Sequence, residues 1–283
     1  MRAPRRQQSF LRLATAGIAC CSLAAGAVEE KPLWEAGVGA AAFTFPYYRG
    51  SDQRNNFVMP IPYFTYHGDF FKADRHGIRG SFFDSDRIDF SVSAALSPPA
   101  KSKDINARTG MPNLDATFEI GPQLDLTFWR SADHARFLKL LLPLRAAFTV
   151  DSSPQDVGWV FHPRLNLDIT DLPGMPGWNF GLLAGVVVGN QRQNAYYYSV
   201  APQFATPTRP AFQASGGYAG TQYLAALSKR FPQFWVGAFA RYDNLSGTSF
   251  EDSPLLKQKN YLAAGVSVSW ILGESSTRVR VND

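Results

Sequence analysis

Bond-breaking chemistry near neutral pH needs a nucleophile with a base in reach, and the imidazoles that could serve are His67, His76, His134 and His162. His76 follows Asp74 and Arg75, so an Asp/His pair is conceivable there; a solvated turn is the plainer reading and is the one adopted. No two histidines or carboxylates stand at metal-ligand spacing, and no Gly-rich phosphate loop occurs. The sequence therefore points to no catalytic residue, no cofactor and no metal. What it does offer is electrostatic: charged side chains set singly into apolar segments, above all Glu119, Arg145, Arg164, Asp168 and Arg241. Such groups either pair with one another or line a path that selects solutes by charge.

Composition narrows the setting in which those charges act. Of 283 residues 45% are hydrophobic, 14% aromatic and 18% charged, which excludes a disordered, collagen-like or disulfide-stapled chain. The net charge of +5 is front-loaded, because Arg2, Arg5, Arg6 and Arg12 precede the apolar stretch 11–25 and the small triplet Ala25-Gly26-Ala27. That order is expected of a secretory signal peptide cleaved after Ala27. Taking its four arginines from +5 leaves +1 on the exported chain, so the case for a nucleic-acid partner disappears. Cys20 and Cys21 leave with the leader; a lipid anchor on Cys20 is disfavoured because Gly17-Ile18-Ala19 lacks the usual upstream leucine.

The elements that must position the charges are strands. No segment supplies the ~20 consecutive apolar residues of a membrane-spanning helix. Instead, Ile88, Phe90, Val92, Ala94 and Leu96 alternate with Arg87, Asp89, Ser91 and Ser93. The same period of two runs through 113–128 and 159–170, with further runs at 137–149, 178–189, 218–229, 234–244 and 260–272. Most reach ten residues, the ~9–11 that a tilted strand needs to cross a bilayer. Trp34, Phe128, Trp129, Trp159, Trp178, Trp235 and Trp270 stand near run ends, as in an aromatic girdle. The expected fold is all-β: a transmembrane antiparallel up-and-down β-barrel.

Short links are expected at 67–69, 84–86, 131–136, 171–177 and 230–233, and longer polar ones at 46–56, 97–112, 150–157, 190–211 and 246–259. They alternate correctly if Asp74–Gly77 is one more turn, which gives twelve strands; without that turn the count is ten. Both termini then lie at the short-turn, periplasmic end, placing His67 and His134 there too. The expected organisation is a leader at 1–27, a barrel at 28–272 and a polar periplasmic tail at 273–283, in the outer membrane of a Gram-negative bacterium and in contact with its lipid.

Because a charge facing lipid near the midplane costs ~2–4 kcal/mol, register turns Arg145 and Arg164 inward. The lumen is expected to hold Arg87, Asp89, Asp115, Glu119, Asp125, Lys139, Arg145, His162, Arg164, Asp168, Arg241 and Asp243. A packed ion-pair network and a narrow selective pore both satisfy that list.

The order of several loop motifs resembles the MltA-interacting protein (MipA/OmpV) family of outer-membrane barrels. These are Pro46-Tyr47-Tyr48-Arg49-Gly50-Ser51-Asp52, Pro60-Ile61-Pro62-Tyr63-Phe64, Tyr196-Tyr197-Tyr198-Ser199-Val200 and Asp252-Ser253-Pro254-Leu255-Leu256. The resemblance implies a non-catalytic scaffold linking a lytic transglycosylase with a bifunctional penicillin-binding protein, or, for OmpV-like members, a role in osmotic response, permeability or adhesion. It singles out Pro46, Tyr48, Gly50, Ser51, Asp52, Tyr196, Tyr198, Val200, Ser253 and Pro254, residues that also suit turns and loop packing on their own chemistry. The chain departs from the family at Ser199, where Gly is usual, and in ending on a polar tail after Trp270-Ile271-Leu272.

Overall fold

The computed structural model describes residues 30–68, 71–74, 77–85 and 87–280. The expected leader and His76 lie outside them. The strands are β1 (Glu30–Pro32), β2 (Trp34–Pro46), β3 (Arg54–His67), β4 (Phe71–Asp74), β5 (Gly77–Asp84), β6 (Ile88–Ser97), β7 (Thr117–Arg130), β8 (Arg136–Thr149), β9 (Asp156–Phe161), β10 (Arg164–Ile169), β11 (Trp178–Gly189), β12 (Gly217–Arg230), β13 (Phe234–Asn244), β14 (Asn260–Glu274) and β15 (Arg278–Arg280). Helix α1 (Gln191–Tyr198) lies between β11 and β12.

Each strand from β2 to β14 pairs antiparallel with its chain neighbours, apart from one shared position. There β9 and β10 lie end to end between β8 and β11, so the two pieces act as a single interrupted strand. The ring closes where β14 pairs with β2, for example Val266 with Ala42 and Trp270 with Val38. Counted this way the described residues form the twelve-stranded barrel expected, and Asp74 does pair with Gly77 across the extra turn. Closure removes the open edges that would otherwise leave backbone groups unpaired in lipid.

Alternation sorts the two faces. Val38, Val58, Leu96, Leu262, Val266 and Leu272 are exposed on the outer surface, where only a hydrocarbon environment removes the cost of so much apolar area. Trp34, Phe128, Trp129, Trp159 and Trp270 are exposed near strand ends, as a girdle requires. Trp235 differs from the expectation: it shares parity with Phe239, Arg241 and Asp243, and its ring lies 6.3 Å from that of Tyr63 above the turn end of the lumen. One expected lumen charge lies elsewhere: Arg87 is exposed in a bend before β6. Asp115 stands in the connection before β7, because that strand begins at Thr117 rather than Asn113, and it reaches the luminal cavity from its rim.

Short turns and both described chain ends gather at one end of the barrel. β14 continues past Leu272 to Glu274, and Arg278–Arg280 then pairs with Glu30–Pro32 as a two-stranded ribbon beside the opening. At the other end emerge the long connections, and they carry most of the buried apolar core.

Candidate functional site

Three of the sequence motifs, far apart in the chain, meet over the long-loop mouth. Tyr48 donates from its hydroxyl to the carbonyl of Leu255 at 2.5 Å, and Tyr198 donates to the carbonyl of Arg49 at 2.8 Å. Ser253 in turn donates to the carbonyl of Tyr198 at 2.6 Å. The Tyr198 ring stacks on Phe250 with centroids 3.7 Å apart and stands edge-on to Tyr48. Ile105, Phe250 and Leu255 are fully buried, and Tyr48, Val200 and Ala214 pack with them, so four connections share one hydrophobic core. These loops form a folded cap rather than independent excursions.

Local chemistry explains how each connection reaches the cap. Asn190 accepts from the backbone N–H of Gln193 and so starts α1, a helix of about two turns that the polar composition of 190–211 did not announce. The same side chain accepts from the backbone N–H of Trp159, tying the helix to β9. In the 97–112 connection, Arg108 is buried and donates to the carbonyls of Tyr197 and Pro112. Arg209 donates to Ala107 and Thr109. Carbonyls that leave strand pairing are thereby satisfied by guanidinium forks.

Burial leaves an electrostatic mark on the cap. It pushes the phenols of Tyr48, Tyr197 and Tyr198 above their ordinary range and that of Tyr196 up to about 12, while it lowers the Arg108 guanidinium. At neutral pH the cap therefore holds neutral phenols.

Beneath it the lumen is crossed by ion pairs. Asp243, fully buried on β13, accepts from Arg49 Nε at 3.1 Å, Arg241 Nε at 2.8 Å and Gln222 at 3.2 Å. Arg49 belongs to the 47–53 connection, so Asp243 fastens the cap to the barrel wall. Arg145 pairs with Glu119 at 2.9 Å, both largely buried. Asp125 accepts from Gln123 and Asp168 from Asn166. At the turn end Glu35 is buried, paired with Arg230 at 2.5 Å and hydrogen-bonded by Tyr63 at 2.9 Å.

Of the residues expected to line a path, Glu119, Arg145, Arg164 and Arg241 all border one cavity of about 490 Å³ under the cap. Asp168 lies farther toward the turn end, outside that cavity. Tyr48 and Tyr198 border it from the cap side; Gly50, Ser51, Ser253 and Val200 hold the cap together without reaching the cavity. Arg49, Tyr261 and Phe250 were not singled out, although the inward parity of Tyr261 with Ala263 was readable. The histidines scatter. His67 sits at the turn end with Nδ1 3.0 Å from the Pro32 carbonyl, His134 occupies a turn at positive φ, and His162 faces the cavity.

The described residues contain no group of three or more metal-ligating side chains. They contain no helix long and apolar enough to cross a membrane, a statement that leaves strands aside.

The outer membrane protein OmpV of Vibrio cholerae serotype O1 is 24% identical over 213 residues, covering 73% of this chain and 76% of that one. Among solved structures the chain is similar to a bacterial polysaccharide outer membrane secretin, with TM-score 0.42 and 9% identity over 84% of this chain and 99% of that chain. It is also similar to the CymD monoaromatic hydrocarbon channel, with TM-score 0.31 and 9% identity over 86% and 90%. The model of the family described as MltA-interacting protein MipA matches residues 38–272, nearly the whole barrel, and the chain belongs to that family of outer-membrane proteins.

Proposed function

We propose that this outer-membrane barrel is a non-catalytic scaffold whose turn-end face holds murein-remodelling enzymes. Its partners in this reading are a lytic transglycosylase and a bifunctional penicillin-binding protein, and it reaches the outer membrane of a Gram-negative cell through a cleaved leader. The observation that carries the proposal is the cap: long connections from both sides of the barrel share one buried core over the mouth, and Arg49 is fastened to Asp243 below. A barrel capped in this way is suited to present a constant surface. That surface comprises 131–136, 171–177, 230–233 and the segment from Gly273 onward, with ordered turns such as Asp133, whose carboxylate is held below its usual range by Ser131 and the Ala135 N–H. The MltA-interacting family description supports the choice of partner. Photo-cross-linking from these turns is expected to capture a lytic transglycosylase above a control barrel; capture no greater than the control rejects the scaffold.

A second reading, a narrow channel, is favoured by the charged cavity bordered by Glu119, Arg145, Arg164 and Arg241, with Asp168 below. Single-channel conductance of the folded barrel separates the two. Silence accords with the scaffold, and steady salt-dependent steps accord with the channel.

A further inference from the structure

The cavity under the cap has two unlike walls. One is aromatic: Phe43 and Phe239 face each other with centroids 6.3 Å apart, and they fit because residue 265 is glycine. A Cβ there would lie 2.6 Å from both rings. The other wall is cationic and is built where the barrel is irregular. β9 stops at Phe161 and β10 starts at Arg164, and Pro163, which has no N–H to give, occupies the break while its carbonyl accepts from Val186 at 3.0 Å. Interruptions of this kind re-aim side chains. Here they bring His162 and Arg164 against Gly185, where a Cβ would lie 3.0 Å from His162 Nε2 and 2.7 Å from Arg164 Cβ. Glycine at both 185 and 265 leaves the room that larger side chains would fill.

The cations on these walls are not equally occupied. Arg49 and Arg241 serve Asp243, and Arg145 serves Glu119. Arg164 forms no ion pair among the described residues, and its buried Nε has no hydrogen-bond partner. Asp125, in the same row across β8, is engaged by Gln123. His162 is only 6% exposed, borders the cavity, and its buried Nε2 is likewise without a hydrogen-bond partner. Buried polar nitrogens left in this state are costly unless something pairs with them. The cavity, at about 490 Å³, is within the ~300–1,000 Å³ range of small-molecule sites.

We propose that this cavity is a binding site for a small carboxylate with an apolar body. The carboxylate accepts from Arg164 and His162, and the body lies against Phe43 and Phe239. The site is independent of the turn-end face, so it stands or falls apart from the scaffold reading. Planar carboxylates suit the guanidinium fork, and the apolar body is what the aromatic wall adds beyond charge.

The test is calorimetric titration of the folded full-length barrel with sodium benzoate. Benzyl alcohol serves as the uncharged counterpart and inorganic phosphate as the charge without a body. Saturable benzoate binding is expected, at least about tenfold tighter than either comparator, and weakened about tenfold or more by Arg164→Gln. If Arg164→Gln fails to show the heat-dependent gel mobility of a folded barrel, His162→Phe gives the same readout, since it keeps a ring of similar shape but removes the second donor without changing charge. No saturation by about 10 mM benzoate, equal affinity for benzyl alcohol or phosphate, or unchanged affinity in the folded variant overturns the proposal.

Discussion

If Asp243 is the point at which the cap is fastened to the wall, Asp243→Asn should loosen the cap while leaving the barrel standing. The substitution keeps the shape and one acceptor but removes the charge that two arginines share. Removing one member of a buried ion-pair cluster costs about 3–5 kcal/mol when the remaining charges are fully buried. Here the Arg49 and Arg241 side chains are 26% and 30% exposed, so water takes up part of their charge, and the asparagine oxygen still accepts one hydrogen bond. About 2 kcal/mol remains, or roughly 30-fold in the balance between docked and undocked 47–53 connection. The backbone pairing of β13 with β12 and β14 does not depend on that carboxylate. Amide hydrogen exchange followed by mass spectrometry should therefore show faster exchange in 47–53 and 245–259, with 117–130 unchanged. Equal loss in the strand peptide, or none in the loops, refutes the fastening role. So does a cycle in which Arg49→Gln and Asp243→Asn act additively, since coupled groups do not.

Truncating the stacked ring by Phe250→Ala removes a fully buried side chain and should cost the cap about 3–5 kcal/mol, read as faster proteolytic nicking of the loops in a barrel of unchanged gel mobility. The buried phenols set a pH limit. Their pKa values are raised in the folded cap, so its stability is complete below the ordinary phenol value near 10 and declines as pH climbs past it, because the undocked loops ionise first. Loop protection, taken as the exchange rate relative to the intrinsic base-catalysed rate at each pH, should stay flat from pH 7 to about 9 and fall beyond about 10. Reversing one member of the Glu119–Arg145 pair should lower folded yield, and the double exchange Glu119→Arg with Arg145→Glu should recover most of it; additive losses would mean that the pair is not coupled.

The barrel was legible because lipid and lumen enforce opposite chemistries on alternate residues of every long strand, as in 117–128. The same rule turns Glu119, Arg145, Arg164 and Arg241 inward from parity alone, and applied strictly at Trp235 it turns that ring inward as well. The cap was less legible. Tyr48 and Leu255 are 207 residues apart, and nothing local in either motif states that they meet. The short helix α1 escaped for a related reason, since its apolar residues are spent on loop contacts rather than on a repeating face. The break at His162-Pro163 was visible only as a proline inside an alternating run, and its consequence depends on which residue stands opposite, here Gly185.

Because lipid dictates little more than apolarity on the outer face, the inward residues carry the functional information, and they couple the cap to the cavity. Arg49 and Arg241 border the cavity and also serve Asp243, so an anion entering the cavity competes with that carboxylate for the same guanidinium groups. Competition of this kind must be reciprocal: whatever draws Arg49 away from Asp243 loosens the cap, and whatever removes Asp243 frees positive charge for the ligand. Asp243→Asn should then bind benzoate more tightly than the unaltered chain even though its cap exchanges faster, a combination that simple damage to the fold does not produce. Weaker binding in that variant would mean that the docked cap itself supplies ligand contacts, through Tyr48 and Tyr198 at the cavity's edge, and that closing the mouth completes the site instead of competing with it.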